Sequence, residues 1–427
     1  MIKIDARKLN EKLLEEISLR PAIDNSKALE VAGSILRNIK LRGLEAVIEF
    51  AERYDGYKRG SLRVAEEEIT EAEDLLTQRE KEAIQRAYDN IYDFHRMQMP
   101  FDFSADIMPG VVCERRWLPV GSVGLYIPGG TAILPSTVLM LGIPAMIAEC
   151  PRVVLVTPAS DKVNPAVLYA ASLCRVSEIY AVGGAQAIGM LAYGVEGVTR
   201  VDKIFGPGNQ FVTAAKMIAA TDGTGCSIDM PAGPSEVLVI ADSQADPAFV
   251  AADLLAQAEH GNDSQVLLVT DSENLISRVE QQIEKMKEIL PRKAFIEKSL
   301  EWSRSILVSD IKSAFIVSNR YAPEHLIVNV ENASSWKGKI TNAGSVFFGQ
   351  FTPESAGDYA SGTNHSLPTS GYARSIGGVT VESFLKTITF QEINREGLEL
   401  LADTITTLAG IEGLDAHALA VRKRLEK

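Results

Sequence analysis

Two side chains of metal-ligand type stand three residues apart in Gln257-Ala-Glu-His260-Gly261, a spacing that puts both on one face of a helix. Glu259 falls about 100° round that helix from His260 and is less suited to join them. Two ligand-type side chains thus converge there. Read alone, the segment is more commonly a polar helix end with a capping histidine. The run Pro353-Glu-Ser-Ala-Gly-Asp358-Tyr-Ala-Ser-Gly-Thr-Asn364-His365-Ser-Leu-Pro368 is dense in small and polar residues. Such a loop can carry Asp358 and His365 into a cleft, although Asp and Asn occur in turns for reasons of their own. In Gly413-Leu-Asp-Ala-His417, His417 opens a short helix near the end of the chain, where a lone histidine is ordinarily a surface residue. Ala322-Pro-Glu324-His325-Leu326 sets a carboxylate beside an imidazole, the pair that general acid and base catalysis uses near neutrality. Adjacency does not make a dyad, because neighbouring side chains often diverge, and a solvent-facing loop pair is the plainer reading. The chain has five histidines, and all but His95 fall in these four segments.

Two glycine turns could serve a cofactor. Gly183-Gly-Ala-Gln186-Ala and Gly206-Pro-Gly-Asn209-Gln each lie between a strand and a helix, where helix amino termini attract phosphate. Neither fits GxGxxG, and a tight turn without a ligand explains the glycines equally well. Four cysteines (Cys113, Cys150, Cys174, Cys226) are widely spaced with no CxxC pair, which speaks against disulfides and against a thiolate metal site. No base is placed to activate any of them.

These residues need a scaffold large enough to hold a cleft. With 427 residues, two or three packed units are expected. The composition, 46% hydrophobic and 23% charged, is that of a globular protein. A net charge of −13 argues against a nucleic-acid partner, which clustered Lys and Arg would serve. No stretch of about 18 uncharged apolar residues and no secretory leader is present, so a cytoplasmic protein without membrane contact is expected. Positions 26–54 and 71–97 carry apolar residues at helical spacing, giving a helical N-terminal segment over 1–120 that packs with the second α/β unit. From Gly121 short apolar runs alternate with helices: strands over 121–127, 152–157, 178–182 and 201–205 build a first doubly wound unit, 121–235. Strands at 236–240, 265–270, near 305–309 and at 345–348 build a second, 236–378. Helical periodicity returns after about Val379, so 379–427 is read as a small helical arm that packs on a partner chain. The fold class expected is α/β, with two Rossmann-like parallel-sheet domains, an N-terminal helical layer and a C-terminal helical arm.

Taken together, the segments resemble the histidinol dehydrogenase family. The resemblance rests on Val123-Gly-Leu-Tyr-Ile-Pro-Gly-Gly130, Gly183-Gly-Ala-Gln-Ala187, Phe205-Gly-Pro-Gly-Asn209, Asp229-Met-Pro-Ala-Gly-Pro-Ser-Glu-Val237, Gln257-Ala-Glu-His260, Ala322-Pro-Glu-His-Leu326, Ser361-Gly-Thr-Asn-His365 and Glu412-Gly-Leu-Asp-Ala-His417, in the family's order. It implies two-step oxidation of L-histidinol, through L-histidinaldehyde, to L-histidine with NAD, the last step of histidine biosynthesis. It further implies one zinc ion per subunit held by Gln257, His260, Asp358 and His417, with the substrate completing the shell. By the same resemblance Ser235, His325, His365 and Glu412 contact substrate beside the metal ligands, and Tyr126, Gln186 and Asn209 contact NAD. His325 acts as base, and Glu324 activates water for the aldehyde step. The family's homodimer implies that the C-terminal arm, with Glu412 and His417, serves the neighbouring subunit's site. Two positions depart from the pattern, Ser366 and Ile133, and neither is a ligand in this scheme. Two other readings stand beside it: a relative that oxidises another polar alcohol such as a sulfonated diol, and a zinc hydrolase in which Glu324 activates water and no nucleotide binds.

Overall fold

The computed structural model describes residues 1–21, 26–129, 133–230 and 233–426. Gly130 of the first glycine turn and Pro231-Ala232 of the 229–237 motif lie outside the described residues.

Two parallel sheets form the scaffold. The first has five strands in the spatial order Glu178–Ala181, Arg152–Thr157, Ser122–Tyr126, Lys203–Phe205, Ser227–Ile228. The second has six: Ile2–Ala6, Arg304–Val308, Gln265–Thr270, Glu236–Ala241, His325–Asn329, Ser345–Phe348. In each sheet the first strand of the unit lies inside, and the order reverses beside it, between Ser122–Tyr126 and Lys203–Phe205 and between Glu236–Ala241 and His325–Asn329. This is doubly wound topology. Central strands buried along their whole length, such as Glu-Val-Leu-Val-Ile-Ala and Gln-Val-Leu-Leu-Val-Thr, follow from helices covering both faces. The helix Pro247–Ala258 begins where Asp246 accepts a hydrogen bond from the Ala248 N–H (2.8 Å) and Pro247 fills the first helical position.

The N-terminal segment departs from the expectation of a helical layer on the second unit. Its first strand, Ile2–Ala6, completes the six-stranded sheet, and helix Glu11–Ile17 packs on Ile311–Tyr321. Helices Ser26–Arg42 and Leu44–Asp55 instead pack on Gly184–Tyr193 and Gln210–Thr221 of the first unit, and Gln78–Arg96 packs on Pro135–Ile147. Small residues on the facing helix invite this approach: a Cβ at Gly189 would lie 2.6 Å from the Ile39 side chain.

A three-stranded antiparallel sheet also corrects the sequence reading. Phe103–Met108 and Val111–Pro119 form a hairpin within the segment read as helical, and Leu385–Ile393 pairs with Val111–Pro119 where the arm was expected to be helical throughout. The run Leu-Lys-Thr-Ile-Thr-Phe-Gln-Glu-Ile carries alternating β-branched and aromatic residues, which suit a strand. Among the described residues two helices follow, Arg395–Ile411 and Asp415–Leu425. Of the first, Gly397 and Ala409 alone are buried, while Leu400, Leu408, Ile411 and Leu414 are exposed.

Candidate active site

The point where strand order reverses in the six-stranded sheet brings the amino ends of Glu236–Ala241 and His325–Asn329 together, with His325 in register with Val237. Helix Ile311–Tyr321 stops at Ala322, held at φ 55°, and Pro323 then turns the chain so that Glu324 and His325 point inward. Both are buried, Glu324 6% and His325 4% exposed, so the solvent-facing alternative is excluded. One residue's backbone aligns the pair: the Glu236 N–H donates to Glu324 Oε2 (2.9 Å), and its carbonyl faces His325 Nδ1 at 3.2 Å. An N–H at Nδ1 satisfies that carbonyl. The other ring nitrogen, Nε2, is buried without a hydrogen-bond partner and lies 3.6 Å from Asp358 Oδ1.

Asp358 comes from the short helix Glu354–Tyr359, which places Glu354 and Asp358 four residues apart on one face. Glu354, 1% exposed, approaches His325 Nδ1 to 3.5 Å, and Glu324 stands at 3.7 Å. Gln257, also buried, satisfies its amide by donating to Glu354 and accepting from the Glu236 N–H at 2.8 Å. Burial raises Glu324 to about 7 and Glu354 well above the carboxylate range. Burial works against a charged His325, but Glu354, Glu324 and Asp358 outweigh it and lift the imidazole to about 10. Asp358 is held below its ordinary value: burial pushes it up, and the facing His325 outweighs that.

His365 borders the same cluster, with Nδ1 2.9 Å from the Asp358 carbonyl and Nε2 3.1 Å from Thr137 Oγ1. Its neighbour Asn364 donates to the Met140 carbonyl (2.6 Å) and to His95 Nε2 (3.2 Å), while His95 Nδ1 faces the Ile91 carbonyl at 2.8 Å. The one histidine outside the four segments thus fastens the loop that carries His365. Ser235 is half-buried directly before Glu236.

The donor set fits a cation. Three carboxylates round one imidazole in a buried site are costly without compensation. Two atoms there, His325 Nε2 and Glu354 Oε2, are buried with no partner. Among the described residues, His325, Glu354 and Asp358 gather one ligand atom each within 4.8 Å of one another. The sequence-based set overlaps this group only at Asp358. Gln257 touches Glu354, and His260 stands close enough to Asp358 and His325 to feel their charges.

A cleft of ≈ 860 Å³ opens from His260 toward the carboxyl ends of the five-stranded sheet. It is lined by Tyr126, Gln186 and Asn209, as well as Asp55, Glu259 and Tyr359. Tyr126 Oη accepts from the Gly184 N–H (3.2 Å), and Asn209 caps helix Gln210–Thr221 through the N–H groups of Phe211 and Val212. Asp55 accepts from the Gly183 N–H (2.9 Å) and Gln186 Nε2 (3.1 Å). The carboxyl ends of one sheet therefore face the amino ends of the other across this cleft. A smaller cleft of ≈ 630 Å³, lined by Asp242, Asn329, Asn332 and Gly349, lies at the far, carboxyl end of the six-stranded sheet.

Two of the expected residues are not brought in. Glu412 and His417 are exposed on the arm, and no contact described for the cluster includes them. Conversely, the sequence does not single out Glu354, Glu236, Asp55 or His95 as functional. The Glu354 to Asp358 spacing was the usable signal, obscured because the segment reads as a loop.

Two doubly wound sheets, with a cleft between them that reaches His260 and Tyr359 and a buried cluster of acid and base groups next to those two residues, define an α/β enzyme. A family model described as histidinol dehydrogenase matches residues 18–425. Histidinol dehydrogenase of Photobacterium profundum is 48% identical over 420 residues, 98% of this chain and 94% of that one. That of Vibrio vulnificus (strain CMCP6) is 49% identical, over 98% and 97%. The crystal structure of histidinol dehydrogenase from Elizabethkingia anophelis superposes with a TM-score of 0.94 at 45% identity, covering 100% of this chain and 98% of that one. The chain belongs to the histidinol dehydrogenase family of oxidoreductases.

Proposed function

We propose that this protein oxidises L-histidinol through L-histidinaldehyde to L-histidine, the last step of histidine biosynthesis, in two NAD-linked steps. The observation that carries the reading is the buried Nε2 of His325, without a hydrogen-bond partner, in a ring backed by Glu324.

In this reading His325 takes the hydroxyl proton through Nε2 in the alcohol step, its ring held by the Glu236 carbonyl at Nδ1. Glu324, ionised, takes a proton from the water that hydrates the aldehyde, and His325 acts again as base on the hydrate. Burial of Glu324, His325 and Glu354 limits the bulk water that reaches them. NAD, when bound along Tyr126, Gln186 and Asn209, supplies the two-electron acceptor for each step. Gln257, His260 and Asp358 would hold zinc, which supplies Lewis acidity and orients the substrate rather than carrying electrons. Neutralising Asp358 also favours the neutral, proton-accepting form of His325. Ser235 and His365 border the substrate position.

A second copy of the chain completes the site. Leu400, Leu408, Ile411 and Leu414 of the arm, with Ile388, Phe390 and Ile393 of its strand, are exposed apolar side chains of the kind that an interface covers. The arm carries Glu412 and His417, so its docking on a neighbour supplies the fourth metal ligand and a substrate contact in trans.

The test is to incubate the metal-replete protein with L-histidinol and NAD and count NADH formed per histidine released. A ratio of about two, abolished by chelation and restored by zinc, is expected, since each two-electron step reduces one NAD. Hydrolysis of an ester or amide without NAD reduction would favour a zinc hydrolase, and turnover of another polar alcohol alone would move the substrate assignment.

A further inference from the structure

We infer that Arg20 is a positioning residue for Glu324 and His325, acting through Glu236 and Tyr321; the inference rests on the reading of that pair as the reacting acid and base. Glu236 is the residue whose backbone N–H and carbonyl set the two side chains. Its own side chain is buried and is gripped from the opposite direction. Arg20 reaches it with both arms of its fork, Nε to one carboxylate oxygen and Nη2 to the other at 2.9 Å. The Ser370 N–H donates to the same carboxylate at 3.0 Å. The same Nη2 donates to the Tyr321 carbonyl (2.9 Å), and the guanidinium lies 4.0 Å above the Tyr321 ring.

Tyr321 ends the helix that turns at Ala322 into Glu324, so Arg20 ties together both chain segments that deliver the pair. The tie has a firm base. Arg304 donates to the carbonyls of Ile17 (3.2 Å) and Leu19 (2.6 Å), which fixes the segment before Arg20 on the sheet. Tyr321 Oη in turn donates to Gln265 Oε1 at 2.8 Å. A buried ion pair of this kind is no reliable source of net stability compared with apolar packing, but a planar fork with two bonds to one carboxylate fixes direction. A shift of about 1 Å at a reacting group can cost about 100-fold in rate. The N-terminal segment, which touches no reacting atom, therefore governs how well the pair is aimed.

Arg20→Ala and Arg20→Lys separate this from a general structural role. For both variants kcat should fall about tenfold or more in the alcohol and aldehyde assays, while KM for NAD stays within about twofold. Lysine keeps the charge without the fork and should not restore the rate, whereas guanidinium added to Arg20→Ala should restore part of it, and ammonium none. Amide hydrogen exchange needs no substrate. Peptides covering 234–238 and 321–326 should exchange faster in Arg20→Lys, with the five-stranded sheet unchanged. Faster exchange there in a protein that does not oxidise histidinol would leave the clamp standing and remove the function. Unchanged exchange, or a wild-type kcat in Arg20→Ala, would overturn the clamp whatever the substrate.

Discussion

His325 has its two ring nitrogens in unlike surroundings: Nδ1 faces a backbone carbonyl, and Nε2 faces a carboxylate with no hydrogen bond made. In the proposed mechanism that asymmetry leaves Nε2 as the proton-accepting position, and His325 is the base of both oxidations. Replacing His325 by Asn should therefore slow alcohol and aldehyde steps alike by about 100-fold or more, whereas Glu324→Gln should slow chiefly the aldehyde step. Separate assays starting from each compound check this, and equal losses in the Gln variant would refute the division. Burial places the Glu324 carboxyl near 7. As pH falls through about 7 it takes up a proton and can no longer receive one from water, so the aldehyde rate should rise with pH through that region. The Gln variant should lose that rise; a Gln variant that keeps it would place the titrating group elsewhere. Glu324 and His325 were legible as a pair because they are adjacent in the chain, whereas Gln257 and His260, expected on one helix face, lie either side of the helix end at Ala258. Glu236 was not legible, because its role is played by main-chain atoms from 88 residues away.

At the scale of elements, strands buried on both faces announce themselves as uninterrupted apolar runs, and eight of the eleven strands of the two parallel sheets lie where those runs fall, Ile2–Ala6, Ser227–Ile228 and His325–Asn329 being the exceptions. The strand at His325–Asn329 shows in the sequence only as an apolar run after the pair. The three-stranded sheet is hard to see there because its strands are largely exposed, so no face is marked by hydrophobic alternation. Its hairpin turn matters to the arm. Gly110 sits at φ 74°, its carbonyl accepts from the Asn394 N–H (3.0 Å), and an added Cβ would fall 2.7 Å from the Gly397 nitrogen. Gly110→Ala combines a left-handed backbone with that collision, and a loss of about 1–3 kcal/mol is expected in the stability with which the arm is held. Amide exchange across 394–411 measures it, and protection equal to the wild type would show that the turn relaxes without cost.

For the molecule as a whole, the proposed exchange of the arm between two subunits would account for the exposure of Glu412 and His417 in a single chain. A chain carrying His417→Ala and a chain carrying His325→Asn are each defective in one contribution, and a mixed dimer holds one site with both residues intact. With random exchange about half of the dimers are mixed and each has one intact site of two, so mixing should recover up to about a quarter of the wild-type activity. Mixed dimers that form but show no recovery would place His417 in its own subunit's site. The helical periodicity after Val379 signalled an arm, while its strand Leu385–Ile393 was missed, and the expected destination on a neighbouring subunit came from the family resemblance.

The two parallel sheets meet the cleft with opposite polarity, the first at its carboxyl ends and the second at its amino ends, and this has a consequence for variation. A winding pattern used twice has been read from opposite directions, so the carboxyl end of the six-stranded sheet, where such folds ordinarily hold their ligand, is left without a share in the chemistry. In the proposed mechanism, changes around Asp242, Asn332 and Gly349 in the cleft at that end should leave the turnover of histidinol unchanged. That rim is where the lineage can drift and where a reporter group can be attached, a strand's length from the reacting atoms.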